Sequence, residues 1–236
     1  MEKQYGTNSH KSRLKTIQIG YNASGAVAAA RKGDVVVIVD IIDMSTTAQA
    51  ALDAGALKVF GAAPDGANPP VKLNPEKIGY IAGLLARQRD SGLIVIAEPR
   101  WGSAEERKEN ISTALAGIRR AGVEVDDILP NIGGQVSQLA DFEGKVVLIA
   151  SGTGGVAFDA AYNHGAEEVL TATISRTLFR KGLSPAEDGV KRALVAARNS
   201  GRGLSFIAAS ANSLEDVLAC EFLARKAMEQ GFLALD

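Results

Sequence analysis

Short, wholly apolar runs punctuate this chain at regular intervals, and polar or small residues fill the stretches between them. Val35-Val36-Val37-Ile38-Val39 is the strongest of these runs, five β-branched residues in a row, and reads as a strand covered on both faces. It leads into Asp40 and Asp43 and then into Ser45, Thr46 and Thr47, which precede an alanine-rich helical stretch ending at Gly55. The same reading predicts strands over residues 16–19, 34–42, 57–61, 93–97, 145–150, 168–174 and 204–208. Helices are predicted over 26–32, 46–54, 75–87, 104–121, 156–163, 185–199 and 214–229. Proline, glycine and asparagine mark 62–75 as a loop, and 127–134 reads as a second irregular break. Strands alternating with helices imply a three-layer α/β/α fold around a largely parallel sheet.

One unit occurs twice. Residues 35–62 align without a gap on residues 145–172, a constant spacing of 110 positions. Val36-Val37-Ile38-Val39 falls on Val146-Val147-Leu148-Ile149, Ala50-Ala51 on Ala160-Ala161, Gly55-Ala56 on Gly165-Ala166, and Val59 on Val169. The expectation is one domain over 1–236 with two related βαβ halves, 16–126 and 127–236.

Composition narrows the class. The chain has 236 residues, 46% hydrophobic and 22% charged, with a net charge of −1, so it carries no electrostatic footprint for nucleic acid. No run approaches the length of a membrane span, and the polar segment up to Thr16 has no apolar stretch of an export signal. With a single cysteine, Cys220, placed as a small core residue on a helix, the expectation is a cytoplasmic protein with no membrane partner.

In such a fold a site lies beyond the carboxyl ends of the strands. The residues there are Asp40 and Asp43, Glu98 and Arg100, the loop Ser151-Gly152-Thr153-Gly154-Gly155, and Ser210, Asn212, Glu215 and Asp216. Carboxylates from separate strands suit Mg²⁺, which takes oxygen ligands and leaves positions for a substrate phosphate. Zinc is not suggested: His10 lies in the polar N-terminal segment, His164 beside a turn glycine, and one cysteine makes no thiolate site. Plainer roles exist for several of these residues. Asp43 in a first helical turn and Asp216 in Ser213-Leu214-Glu215-Asp216 both fit capping, and Glu98 before Pro99 fits an ordinary loop acid. Asp40, inside an apolar run, needs a partner or a metal if it is buried.

Gly152, Gly154 and Ala157 have the spacing of a dinucleotide-binding turn, G-x-G-x-x-A between a strand and a helix. The following strand ends without an acid for a ribose hydroxyl, and the loop equally suits a single phosphate or sulfonate held on backbone N–H groups. An NAD(P)-dependent oxidoreductase therefore stays open as an alternative.

From about Val35 to its C-terminus the chain resembles the 2-phosphosulfolactate phosphatases, Mg²⁺-dependent enzymes of coenzyme M biosynthesis. That family has a strand ending D-x-x-R-A-S/T-S/T-T, to which Asp40-Ile41-Ile42-Asp43-Met44-Ser45-Thr46-Thr47 is similar. Its glycine-glutamate-arginine segment is matched only by Ala97-Glu98-Pro99, its T-N-G-T loop by Gly152-Thr153-Gly154-Gly155, and its S-L-E-D segment is intact as Ser213-Leu214-Glu215-Asp216. The resemblance implies hydrolysis of a small phosphorylated acid, with Asp40, Glu98 and Asp216 catalytic and Asp40, Glu215 and Asp216 on Mg²⁺. Asp43, Ser45, Thr46, Arg100, Gly152, Thr153, Gly154, Gly155 and Arg176 would then contact the anionic substrate, and a homo-oligomer is expected by analogy. Asp43 and Pro99 stand where the family has arginines, so attraction for an anion becomes repulsion at one position. A non-catalytic metabolite-binding homologue is the second alternative.

Overall fold

The computed structural model describes residues 15–234; His10 lies outside them. The elements in chain order are β1 (Ile17–Tyr21), α1 (Asn22–Lys32), β2 (Val35–Val39), α2 (Met44–Asp53), β3 (Lys58–Ala62), α3 (Pro75–Gln88), β4 (Leu93–Ala97), α4 (Ala104–Glu109) and α5 (Ser112–Arg120). The chain continues with β5 (Asp127–Pro130), a 3₁₀ helix (Gly133–Gln138), β6 (Val146–Ala150), α6 (Gly154–Asn163), β7 (Val169–Thr171), α7 (Ser184–Ser200), β8 (Leu204–Ala208) and α8 (Leu214–Glu229). The architecture is the expected three-layer α/β/α fold. Its strands form two four-stranded sheets in which every pairing is parallel.

The sheets run β1-β8-β2-β7 and β5-β4-β6-β3. Replacing each strand of the first sheet by its counterpart about 110 positions away gives the second, in the same order. The repeat therefore extends well beyond the βαβ unit visible in the sequence. Pro75 and Gly79 of α3 match Pro185 and Gly189 of α7, and the cap Ser103 of α4 matches the cap Ser213 of α8. Each sheet takes two strands from either half, so neither sheet is complete without both. The first strands of the two units end at Val39 and Ala150, 111 positions apart, whereas α2 and α6 start 110 apart. The loop at 40–43 is thus one residue longer than the loop at 151–153, a gap that the ungapped alignment did not place.

Burial follows the two-residue period of the central strands. Val35, Val37 and Val39 enter one core with α7 and α8, and Val36 and Ile38 enter another that includes residues of α1, α2 and α6. Cys220 lies in the first of these cores, fully buried, as its helical context predicted.

The strands expected over 34–42 and 168–174 are shorter, Val35–Val39 and Val169–Thr171, the helix expected over 26–32 starts at Asn22, and two predicted elements differ in kind. Residues 127–134 are not an irregular break: Asp127–Pro130 is an edge strand paired with β4, and Pro130 closes it where a missing N–H is tolerated. The helix predicted over 104–121 is two helices. The Asp65 carboxylate accepts from Ser112 Oγ and Thr113 N, Asp65 N donates to Asn110 O, and Asn110 Nδ2 donates to Glu98 O. Together these contacts hold a break at Asn110 and Ile111, with Asp65 serving as a cap supplied by a distant loop.

Candidate active site

The carboxyl ends of β2 and β8 in one sheet and of β4 and β6 in the other meet at one place. Asp43 at the start of α2 and Thr153 at the start of α6 occupy equivalent positions, and Thr153 Oγ1 donates to Asp43 Oδ2 at 3.5 Å. A contact between equivalent positions straddles the local twofold axis that relates the two halves. Lys58 and Glu168, also 110 positions apart, form a second such pair at the opposite ends of β3 and β7, at 2.7 Å. The site therefore sits on the axis.

Asp40 is 3% exposed. Its Oδ2 accepts from Gly154 N at 2.6 Å and from Thr153 Oγ1 at 2.8 Å, and its Oδ1 accepts from Asp43 N at 3.2 Å. The partner that this buried acid needs is thus the N-terminus of α6, where exposed N–H groups and the helix dipole favour negative charge. Burial pushes its pKa up, the Thr153 hydroxyl opposes that, and the nearby charge of Asp43 adds to it.

This arrangement alters the reading of the glycine loop. Gly154 N is bound to Asp40 and Gly155 N to Ser151 Oγ at 2.8 Å, so two donors expected to hold a substrate anion are satisfied within the protein. The glycines have a packing explanation as well. A Cβ on Gly154 would crowd Met44 and Asp40, and one on Gly155 would run into the carbonyl oxygen of Ala62. Gly152 faces open space.

Around Asp40 lie Asp43, Glu98 and Asp216, close enough for their charges to act on one another. Glu98 is half-buried, and burial followed by the charges of Asp43 and Asp40 raises its pKa. Arg100 reaches back across the group, its Nη2 3.4 Å from Asp43 Oδ1 and its Nε donating to Asn131 O at 2.7 Å. Asp216 has a pKa raised to about 6, burial being the main cause and the Asp40 charge a smaller one.

Several sequence-predicted residues have other work. Asp216 Oδ1 accepts from Ile41 N at 2.8 Å and Oδ2 from Ser210 N at 3.3 Å, so its carboxylate ties the β2 loop to the β8 loop. Ser213 Oγ accepts from the Asp216 backbone N–H and so caps α8, but the carboxylate does not return to Ser213 N, so Asp216 is not the reciprocal cap that the S-x-x-D spacing suggests. Glu215 is exposed and makes no hydrogen bond or ion pair among the described residues. Ser45 Oγ donates to Ile38 O and accepts from Asp40 N, and Thr46 Oγ1 bonds Ile41 O and Thr173 Oγ1. Both hydroxyls are buried and occupied, holding the loop rather than facing a ligand. Arg176 is exposed, with its backbone against Gly134. His164 ends α6 with Nδ1 2.8 Å from Ala160 O.

Sequence reasoning missed Asn131. It is fully buried directly after β5; its Oδ1 accepts from Thr47 Oγ1 at 2.6 Å, and its Nδ2 is buried without a hydrogen-bond partner. That nitrogen lies on the side of Glu98, whose charged form it favours. Applying the spacing of 110 to β1 would have predicted a strand over 127–131 and drawn attention to the residue at its end.

Among the described residues no group of three His, Cys, Asp or Glu side chains is arranged to hold a metal ion by itself, and no helix is long and apolar enough to cross a membrane. The chain matches no family model and no curated protein.

Proposed function

We propose that this chain is a Mg²⁺-dependent hydrolase of a small phosphorylated acid, akin to the 2-phosphosulfolactate phosphatases that its motifs resemble, acting as a cytoplasmic homo-oligomer. The observation that carries the reading is the grouping of Asp40, Asp43 and Glu98, with Arg100 over them, where the carboxyl ends of both sheets meet. The donor set fits a hard divalent ion. All the side chains are oxygen donors, and Mg²⁺ keeps several waters and uses one or two carboxylates together with substrate phosphate, so a cage of three protein ligands is not required. Asp43 and Glu98 would hold it, with Asp40 beneath them; Glu215, being exposed, would not. When bound, the ion would offset charge on the phosphoryl oxygens.

Both oxygens of Asp40 are already engaged by donors, which favours water over this carboxylate as the nucleophile. Attack at phosphorus breaks the bond to the leaving oxygen. The proton lost by the attacking water passes to that leaving oxygen through solvent, and Glu98 keeps its metal-holding role. The decisive experiment is phosphate release from phosphosulfolactate, phosphoglycolate and phospholactate, with Mg²⁺ and with excess chelator. Release that the chelator abolishes supports the reading.

A non-catalytic metabolite-binding homologue is the second reading, favoured by the capture of Gly154 N by Asp40 and by the acid at position 43. It predicts that one of these acids raises the melting temperature without phosphate release. A nicotinamide cofactor in the same melting series covers the oxidoreductase alternative.

A further inference from the structure

Asn131 is the one polar side chain at this site that is fully buried, firmly oriented and still missing a partner. Thr47 Oγ1 donates to its Oδ1 at 2.6 Å, and Thr47 is itself fully buried in α2, so the amide plane is fixed from below. Arg100 Nε holds its backbone oxygen at 2.7 Å, so the guanidinium and the amide share one anchoring point. The remaining amide nitrogen faces the Glu98 carboxylate, whose charged form it favours, without closing a hydrogen bond to it. A buried donor in this condition is costly unless something brings an acceptor to it. The glycine loop, meanwhile, has given its Gly154 and Gly155 N–H groups to Asp40 and Ser151. An incoming oxyanion finds free donors at the end of β4 and β5 and not at the start of α6.

We infer that Asn131 Nδ2 and the Arg100 guanidinium form the oxyanion seat of the site, and that the amide donates to a phosphoryl oxygen of the ligand. This inference rests on the phosphate-ester reading of the ligand but not on its hydrolysis. Asn131 supplies a neutral, directional donor next to acids, so it binds an oxyanion without bringing a further charge to the cluster. Arg100 supplies the positive charge, and its weak 3.4 Å contact with Asp43 leaves its Nη atoms available.

The test is titration calorimetry of the full chain with inorganic phosphate in saturating Mg²⁺, alongside a separate titration with Mg²⁺ alone. Asn131→Leu keeps the volume and removes the donor. Phosphate affinity should fall about tenfold and Mg²⁺ affinity by clearly less, since Asn131 acts on the metal only through the charged form of Glu98, a split that general loosening of the site would not produce. Arg100→Gln should cost a similar factor for phosphate. If Asn131→Leu does not fold, Thr47→Val serves instead: it releases the amide plane but leaves the donor, and should weaken phosphate about threefold. Wild-type protein that binds no phosphate overturns the seat, and so do variants that bind it as tightly as wild type. Tight, Asn131-dependent binding without turnover of any ester would instead sink the hydrolase reading and leave the seat standing.

Discussion

The loops at residues 40–43 and 151–153 occupy equivalent places in the two halves, each joining a buried strand to a helix on the local twofold axis, yet they differ in nearly every chemical respect. The first carries two acids and is one residue longer; the second carries two glycines and a threonine at its end and at the start of α6. Asp40 and Ser151 each follow directly on their strand, and both serve the first turn of α6, Asp40 from across the axis and Ser151 from its own loop. Three acids of the group, Asp40, Asp43 and Glu98, belong to the first half, while Asp216 and the neutral donors Asn131, Thr153 and Gly154 belong to the second. A symmetric frame thus brings the two helix starts together, and the 40–43 loop's departure from symmetry supplies two of the group's four acids.

The largest effect that comparison predicts is at position 40. Asp40→Leu strands Gly154 N and Asp43 N and leaves the Thr153 hydroxyl only its 3.5 Å contact with Asp43, and should lower the unfolding free energy by about 3–5 kcal/mol, since each buried orphan costs about 1–3 kcal/mol. Ser151→Ala strands only Gly155 N and should cost about 1–2 kcal/mol. Urea denaturation of both variants gives the ordering, and equal losses would mean that Asp40 is not the main tie between the halves.

The glycines test the same asymmetry from the other loop. Gly155→Ala puts a methyl group against the Ala62 carbonyl, a backbone atom that cannot swing aside, and should cost about 2–4 kcal/mol. Gly152→Ala meets nothing and should stay within about 0.5 kcal/mol. If both were harmless, the close approach of α6 to β3 would not be what requires glycine, and the dinucleotide-turn reading would regain weight.

How much of this was legible in the sequence depended on the kind of signal. Strands β4 and β8 and helix α8 were read at their observed bounds, because an apolar run or a capped amphipathic stretch is a local signal. Strand β5 escaped because a four-residue edge strand ending in proline is hardly distinguishable from a turn. The break between α4 and α5 is imposed by Asp65, remote in sequence. Convergence of Asp40 and Glu98 followed from strand ends alone, whereas the occupancy of the glycine loop by Asp40 could not, since it depends on two loops 113 positions apart meeting at the axis. Glu215 and Asp216 show the limit of motif transfer: a segment can be intact while one acid points to solvent and the other ties loops.

A further contrast between the halves lies one turn into each helix, where Gln49 and Asp159 are equivalent and both buried. Gln49 donates to Asp53 and Asp188 and accepts from Arg192, while Asp159 accepts from Ala63 N and Asn74 N to pin the 63–74 loop. Burial raises the Asp159 pKa from 3.8 to about 6, against the pull of those two N–H groups. The folded chain therefore holds this proton more tightly than the unfolded chain. The stability it contributes is fully present below about pH 4 and is lost as pH rises through about 6, by up to about 3 kcal/mol. Asp159→Asn should flatten that part of the decline when urea unfolding is followed from pH 4.5 to 6.5. An unchanged slope would leave the decline to Asp40, Glu98 and Asp216, whose shifts have the same sign.

The smallest effect is the most specific to the twofold relation, because it concerns the other pair on the axis. Lys58 and Glu168 are about one-third exposed, so their ion pair should contribute no more than about 1 kcal/mol. Lys58→Glu places two acids at equivalent positions across the axis and should cost about 0.5–1 kcal/mol, less in high salt. Glu168→Lys should do the same with two cations. The double exchange puts each side chain where its symmetry mate stood, against a backbone that the repeat makes similar. It should therefore return to within about 0.3 kcal/mol of wild type, with a coupling energy close to the sum of the two single losses. A recovery much smaller than that would mean the surroundings of β3 and β7 have diverged as far as the two loops at the site, and that the axis is symmetric in its strand order alone.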